Sequence, residues 1–182
     1  MPLPVGSDVH RGTPAILMPV DAKTVRAVLA SAHMTTIATA AGPIALGAGP
    51  VRITLAAPGG GTLASRLGEL APGQRLYLVL KNHCATEQPG VLFHLYLHLP
   101  PHAKPRQDDP HYVGSLNFFN AVKPDCAEAT SAPFRSYDIT ALAQRLRSQN
   151  LLSDPTTVTI LAMEPPATGA RATIGRVELM AQ

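Results

Sequence analysis

The chain has no tryptophan and only four tyrosines and four phenylalanines among its 182 residues. A surface that stacks nucleobases or sugar rings needs aromatic side chains in number, so their scarcity argues against both platforms. Charge is thin as well, with 15% of residues charged and a net charge of +3. Lysines and arginines are scattered; the nearest grouping, Arg145 with Arg147, has the spacing of an exposed helix side. No basic cluster with interleaved aromatics is present, which excludes nucleic acid as the expected partner. No apolar run approaches the ~18 residues that span a bilayer, so no membrane partner is expected. The start, MPLPVGSDVHRGTP, lacks the basic and then apolar pattern of a secretory leader. The expectation is a soluble cytoplasmic chain, which a partner carrying an export signal would take elsewhere. The two cysteines, Cys84 and Cys126, lie in different segments without metal-ligand spacing. Both fall near expected strand ends, which leaves a disulfide and two free thiols as open alternatives.

What is present points to an all-β fold. Hydrophobic residues make up 46% of the chain, enough for a substantial core, and 18 prolines with 14 glycines suit a loop-rich β protein. The length fits one domain with a short N-terminal appendage. The central stretch is Pro89 to Asn120, PGVLFHLYLHLPPHAKPRQDDPHYVGSLNFFN. From Val91 to Leu99 the pattern alternates: Phe93, Leu95, Leu97 and Leu99 share one face, and Leu92, His94, Tyr96 and His98 the other. Period two sustained this far specifies a strand. His111 to Phe119 alternates too, and Gly114 within it marks a bulge or a close backbone approach. The two segments are expected to pair antiparallel across a solvated, proline-rich loop, Pro100 to Pro110.

Around this pair the sequence predicts further elements. Residues 1–19 form an arm, Ala22 to His33 a short helix capped by Asp21, and Met34 to Ala41 a first strand. GPIALGAGP supplies turns, and Val51 to Ala56 is a strand with Val51, Ile53 and Leu55 inward. Thr62 to Leu70 is either a helical turn or an irregular connection. Gln74 to Leu80 is a strand. Phe134 to Ile139 is a short strand leading into a helix capped by Asp138 or Thr140, with Leu142, Leu146 and Leu151 on its apolar side. Val158 to Met163 and Arg171 to Met180 close the fold. The sum is an antiparallel β-sandwich of about seven or eight strands with one or two short helices in connections. The domain boundary is expected at 41/42, with residues 1–41 as the appendage and 42–182 as the sandwich.

Seven histidines invite a metal reading. His94 and His98 lie four apart on a strand, about 13 Å by strand rise, too far for one ion. With Tyr96 they are expected to form the polar or partner-facing side of a sheet. His102 and His111, at or in the loop, could approach each other or His98 in a copper or zinc site. A copper-delivery chain would draw on His98, His102 and His111 with Met34 or Cys84, and His94 is a further candidate ligand. Hydrolytic chemistry lacks its parts: Ser115 has no G-x-S-x-G elbow, and His83 and Cys84, adjacent on a strand, face opposite ways. Asp108 and Asp109 sit in a loop without apolar surroundings, so a solvated role is expected of them. A stand-alone ligand-binding sandwich is a further option, since this architecture hosts many functions.

The order PGVLFHLYLHLP, YVGSLNFF, FRSYDIT with a helix, VTILAMEPP and ATIGRVEL resembles the C-terminal β-sandwich domain of type-3 copper proteins. These are the tyrosinases, catechol and polyphenol oxidases and molluscan haemocyanins. The resemblance spans about residues 42–180, and its most specific pieces are Tyr112 to Phe119 and Tyr137-Asp138-Ile139-Thr140. In that family the dicopper centre sits in a separate four-helix bundle carrying six histidines, which this chain does not contain. The resemblance therefore implies a non-catalytic accessory domain or subunit whose partner is a type-3 copper oxidase, with copper held by the partner and none bound firmly here. It also implies a bulky apolar plug over the metal site. Leu116, Phe118 and Phe119 match the region, with Phe93 beside them; ordinary core packing is the alternative for each.

Overall fold

A computed structural model describes residues 34–103, 105–126 and 133–182. The expected arm and the helix Ala22 to His33 lie outside the described residues. Eight strands and two helices follow in order: β1 (Thr35–Leu46), β2 (Val51–Leu55), α1 (Leu63–Glu69), β3 (Leu76–Cys84), β4 (Phe93–Leu97), β5 (Tyr112–Leu116), β6 (Phe134–Asp138), α2 (Thr140–Ser148), β7 (Thr156–Ala162) and β8 (Ala172–Ala181). They form two four-stranded antiparallel sheets, β1-β8-β3-β6 and β2-β7-β4-β5. The fold is the expected β-sandwich.

Alternation in each strand builds the interior. Leu76, Leu78 and Leu80 of β3 face Phe93, Leu95 and Leu97 of β4, with Ile53 and Leu55 of β2, Val158 and Ile160 of β7 and Ile174 and Leu179 of β8 in the same cluster. Each such fully buried side chain contributes about 1.5–3 kcal/mol relative to exposure. The two sheets meet at both flanks. Thr39 and Ala56 exchange backbone hydrogen bonds of 2.9 Å on one side. On the other, the Tyr137 hydroxyl of β6 donates to the Ser115 carbonyl of β5 at 2.8 Å. A Cβ at Gly114 would stand 3.0 Å from two Tyr137 ring carbons, so glycine is what lets that ring close against β5.

Several boundaries move. β1 crosses the expected 41/42 boundary and pairs with β8 along its length, so the first strand belongs to the sandwich and the division falls at 33/34. GPIALGAGP is therefore strand as far as Leu46 rather than turn throughout. The segment after Thr62 is a helix, α1: the Thr62 hydroxyl accepts from Ser65 N–H at 3.1 Å, and the Ser65 hydroxyl accepts from Thr62 N–H at 3.2 Å. That reciprocal cap satisfies two donors that a helix start otherwise leaves bare. At α2 the N-cap position is Ile139, without a side-chain cap, which corrects the expected Asp138 or Thr140; Asp138 stands one residue earlier, its Oδ1 accepting from the Thr140 N–H (3.0 Å) and hydroxyl (2.7 Å). These bonds hold the Asp138 carboxyl below the usual carboxylate range. Leu142 and Leu146 are buried as expected, but Leu151 is exposed, because the chain leaves α2 before reaching it.

Candidate functional site

The second sheet, β2-β7-β4-β5, has an outer face that the chain itself covers. Register places Leu92 opposite Met163, His94 opposite Leu161 and Tyr96 opposite Thr159, all outward. The loop from Pro100 to Pro110 folds over this face. Gln107 reaches His94 at 3.2 Å, Arg52 donates to the Leu99 carbonyl, and Arg145 from α2 donates to the Pro110 carbonyl at 3.0 Å. Consequently His94 and Tyr96 are buried, and His98 is buried with its ring against Ser153 of the α2–β7 connection, which corrects the expectation of a polar, partner-facing row. Strand alternation separates two faces but does not say whether a loop lies over the second.

The β4–β5 pairing is antiparallel as expected, with a register shift after Leu95 that leaves Val113 as the extra residue of a bulge. The bulge turns Tyr112 to the outer face, where its ring meets His94 at 5.4 Å and Tyr96 at 5.6 Å. Leu116 stays inward, paired with Phe93. The alternation expected from His111 to Phe119 is thus broken at the bulge.

His98 and His111 lie near enough for their charges to interact, but no third candidate ligand joins them among the described residues. His98 Nδ1 lies 3.0 Å from the Ser153 hydroxyl, and His111 Nδ1 donates to the Leu97 carbonyl at 2.8 Å. His102 is on the exposed part of the loop, and His94 stands at the far end of β4 beside Gln107. Met34 begins β1's side of the molecule, and Cys84 is covalently committed: it bonds to Cys126, with Cα atoms 5.7 Å apart. Among the described residues no three histidine, cysteine, aspartate or glutamate side chains come together to hold a metal ion. The metal set His94, His98, His102 and His111 is accordingly corrected for the described residues. The thiol alternatives resolve as a disulfide.

His98 leaves β4 with a φ of 54°, a left-handed conformation uncommon for a side chain of its size, and its ring is buried. Burial first, then the nearby His111 and Arg52 charges, push its pKa down to about 4 against a partial opposing pull from Asp154. The unfolded chain therefore takes up a proton between pH 6.5 and 4 that the folded chain refuses. Stability should rise with pH across that window and be lost on acidification, by on the order of 3 kcal/mol once both pKa values are passed. Burial lowers His83 and His94 in the same direction. The check is urea unfolding at pH 7 and pH 4.5 with His98→Asn, whose side chain tolerates positive φ; an undiminished pH slope in that variant would remove His98 as the cause.

Of the four plug candidates, three are interior. Phe93, Leu116 and Phe118 are buried, and the Phe118 ring packs edge-on against Phe93 at 5.5 Å and His83 at 5.7 Å. Their placement as partner-facing residues is corrected: they are core. Phe119 is different, with 74% of its surface exposed. It stands on a turn closed by the Ala121 N–H to the Phe118 carbonyl at 3.0 Å. The Gln88 amide donates to the carbonyls of Phe118 (3.2 Å) and Phe119 (3.3 Å), so the backbone beneath the ring is braced. Half-exposed Leu92 and Met163 flank the same end of the sheet. A second exposed ring, Phe134, starts β6 and was missed in the sequence, although FRSYDI puts it in period with the exposed Ser136 and Asp138.

Among solved structures, a latent aurone synthase (polyphenol oxidase) from natural source matches with a TM-score of 0.43 and 16% identity, over 76% of this chain and 25% of that one. Latent apple tyrosinase matches with a TM-score of 0.45 and 18% identity, over 76% of this chain and 27% of that one. The chain thus spans about a quarter of the length of those proteins. No curated protein matches. The sandwich and the site described here both fall within residues 32–182, the stretch that matches the family model described as a domain of unknown function (DUF7868), and the chain belongs to that family.

Proposed function

We propose that this chain is a non-catalytic accessory domain or subunit that docks over the metal site of a type-3 copper oxidase and limits substrate access, with Phe119 as the inserted side chain. The observation that carries the reading is the braced, exposed Phe119 ring. A ring presented on a braced turn, with half-exposed Leu92 and Met163 at the same end of the sheet, has the form of an inserted apolar anchor. The motif order from PGVLFHLYLHLP to ATIGRVEL supplies the kind of partner. Copper, in this reading, belongs to the partner's helical bundle, and the chain contributes steric occlusion alone.

The experiment mixes the chain with the copper-loaded catalytic core of such an oxidase, freed of its own sandwich, and follows diphenol oxidation. Suppression that depends on the dose of the chain, and that weakens tenfold or more with Phe119→Ala, is the expected result. Absence of both binding and suppression with a cognate core would defeat the proposal.

A further inference from the structure

The loop over the second sheet stops short at Gln107 and leaves the β4–β7 end of that face open as a cleft of about 370 Å³, within the range of small-molecule sites. Its walls are Val91, Leu92 and Met163, and its polar members are His94, Gln107 and Glu164. His94 is 1% exposed, and its Nδ1 has no hydrogen-bond partner among the described residues. The other ring nitrogen faces Gln107 Nε2, which can only donate, so His94 Nε2 accepts and the ring proton sits on Nδ1. A buried N–H left unpaired is costly, and native structures rarely keep one without a use.

We infer that this cleft binds a small uncharged molecule with an apolar body and a carbonyl-type acceptor, which takes the His94 Nδ1–H. Three features select that class. Val91, Leu92 and Met163 complement the body. Burial keeps the imidazole neutral, so it offers one directed hydrogen bond and no counter-charge. Glu164 at the rim repels carboxylates. Nδ1 is covered in the unliganded chain, so binding requires the wall of the cleft, of which half-exposed Met163 is the unbranched member, to shift and uncover it. The inference is independent of the oxidase reading, since it uses neither Phe119 nor a protein partner.

The test titrates the full chain with cyclohexanone, methylidenecyclohexane and cyclohexanecarboxylate, reading the His94 ring ¹⁵N–¹H resonances by NMR. Methylidenecyclohexane keeps the ketone's shape without its acceptor. Cyclohexanone should bind saturably and shift the His94 Nδ1–H, the hydrocarbon should bind about tenfold more weakly or worse, and the carboxylate should not bind. His94→Phe should bring the ketone down to the hydrocarbon's affinity. Leu92→Arg, a surface change that leaves the core intact, should abolish binding of both if the His94 variant does not fold. Equal binding of ketone and hydrocarbon, saturable binding that leaves the His94 resonance unmoved, or no binding of the ketone would overturn the assignment.

Discussion

Phe118→Ala should cost about 3–5 kcal/mol of folding stability, while Phe119→Ala, one residue along, should change it by about 0.5 kcal/mol or less. The two side chains are chemically identical and adjacent, so the contrast isolates environment. Phe118 is 1% exposed, wedged edge-on between Phe93 and His83, and truncating it opens a cavity that strand residues on both sheets cannot collapse to fill. Phe119 has few neighbours to lose. Urea midpoints for the two variants measure the difference directly, and near-equal midpoints would mean the rings share one environment. The pair also separates fold from function: Phe119→Ala should leave the sandwich intact while releasing an oxidase core from suppression, so a loss of occlusion there cannot be ascribed to unfolding.

Opening the Cys84–Cys126 disulfide should be the other large loss. The bond closes a loop with a sequence separation of 42 residues, which in the chain-entropy account corresponds to about 4 kcal/mol at most. It tethers the end of β3 to the segment after Phe119, where Ala85 also exchanges backbone bonds with Ala121 (3.0 Å) and Lys123 (2.9 Å). Those two bonds soften the effect by keeping part of the loop in place. Unfolding of the oxidised chain against the Cys84→Ser, Cys126→Ser double variant reads the loss. A difference under about 1 kcal/mol would show that the backbone bridge alone holds the segment, because the bond then adds little to the closed loop.

Tyr137 shows how motif and structure divide the explanation. Tyr137-Asp138-Ile139-Thr140 was legible as a strand-to-helix junction, where Asp138 accepts from the Thr140 N–H and hydroxyl while Ile139 takes the N-cap position. That the Tyr137 ring would lie against Gly114 and its hydroxyl tie to Ser115 was not legible, since β5 and β6 belong to different sheets. Burial of that phenol pushes its pKa up to about 12. α1 was legible only in part: the Thr62–Ser65 cap is a short-range signal, but a seven-residue helix with two buried leucines carries too little periodicity to decide on.

Local alternation settles on its own which residues of β2, β3, β4 and β7 can share a face, because successive side chains on a strand point to opposite sides. The all-β class and the antiparallel pairing of the two central strands follow from that rule and from turn chemistry. Three matters depend on contacts remote in the chain. A loop closes over His94 and Tyr96 while Ser153 meets His98; the bulge at Val113 turns Tyr112 away from Leu116; and the path after β5 places Cys126 beside Cys84 and leaves Phe119 in solvent. Periodicity carries no information about what lies above a face. Only the packed chain decides which of two neighbouring phenylalanines is core and which is free to meet another surface.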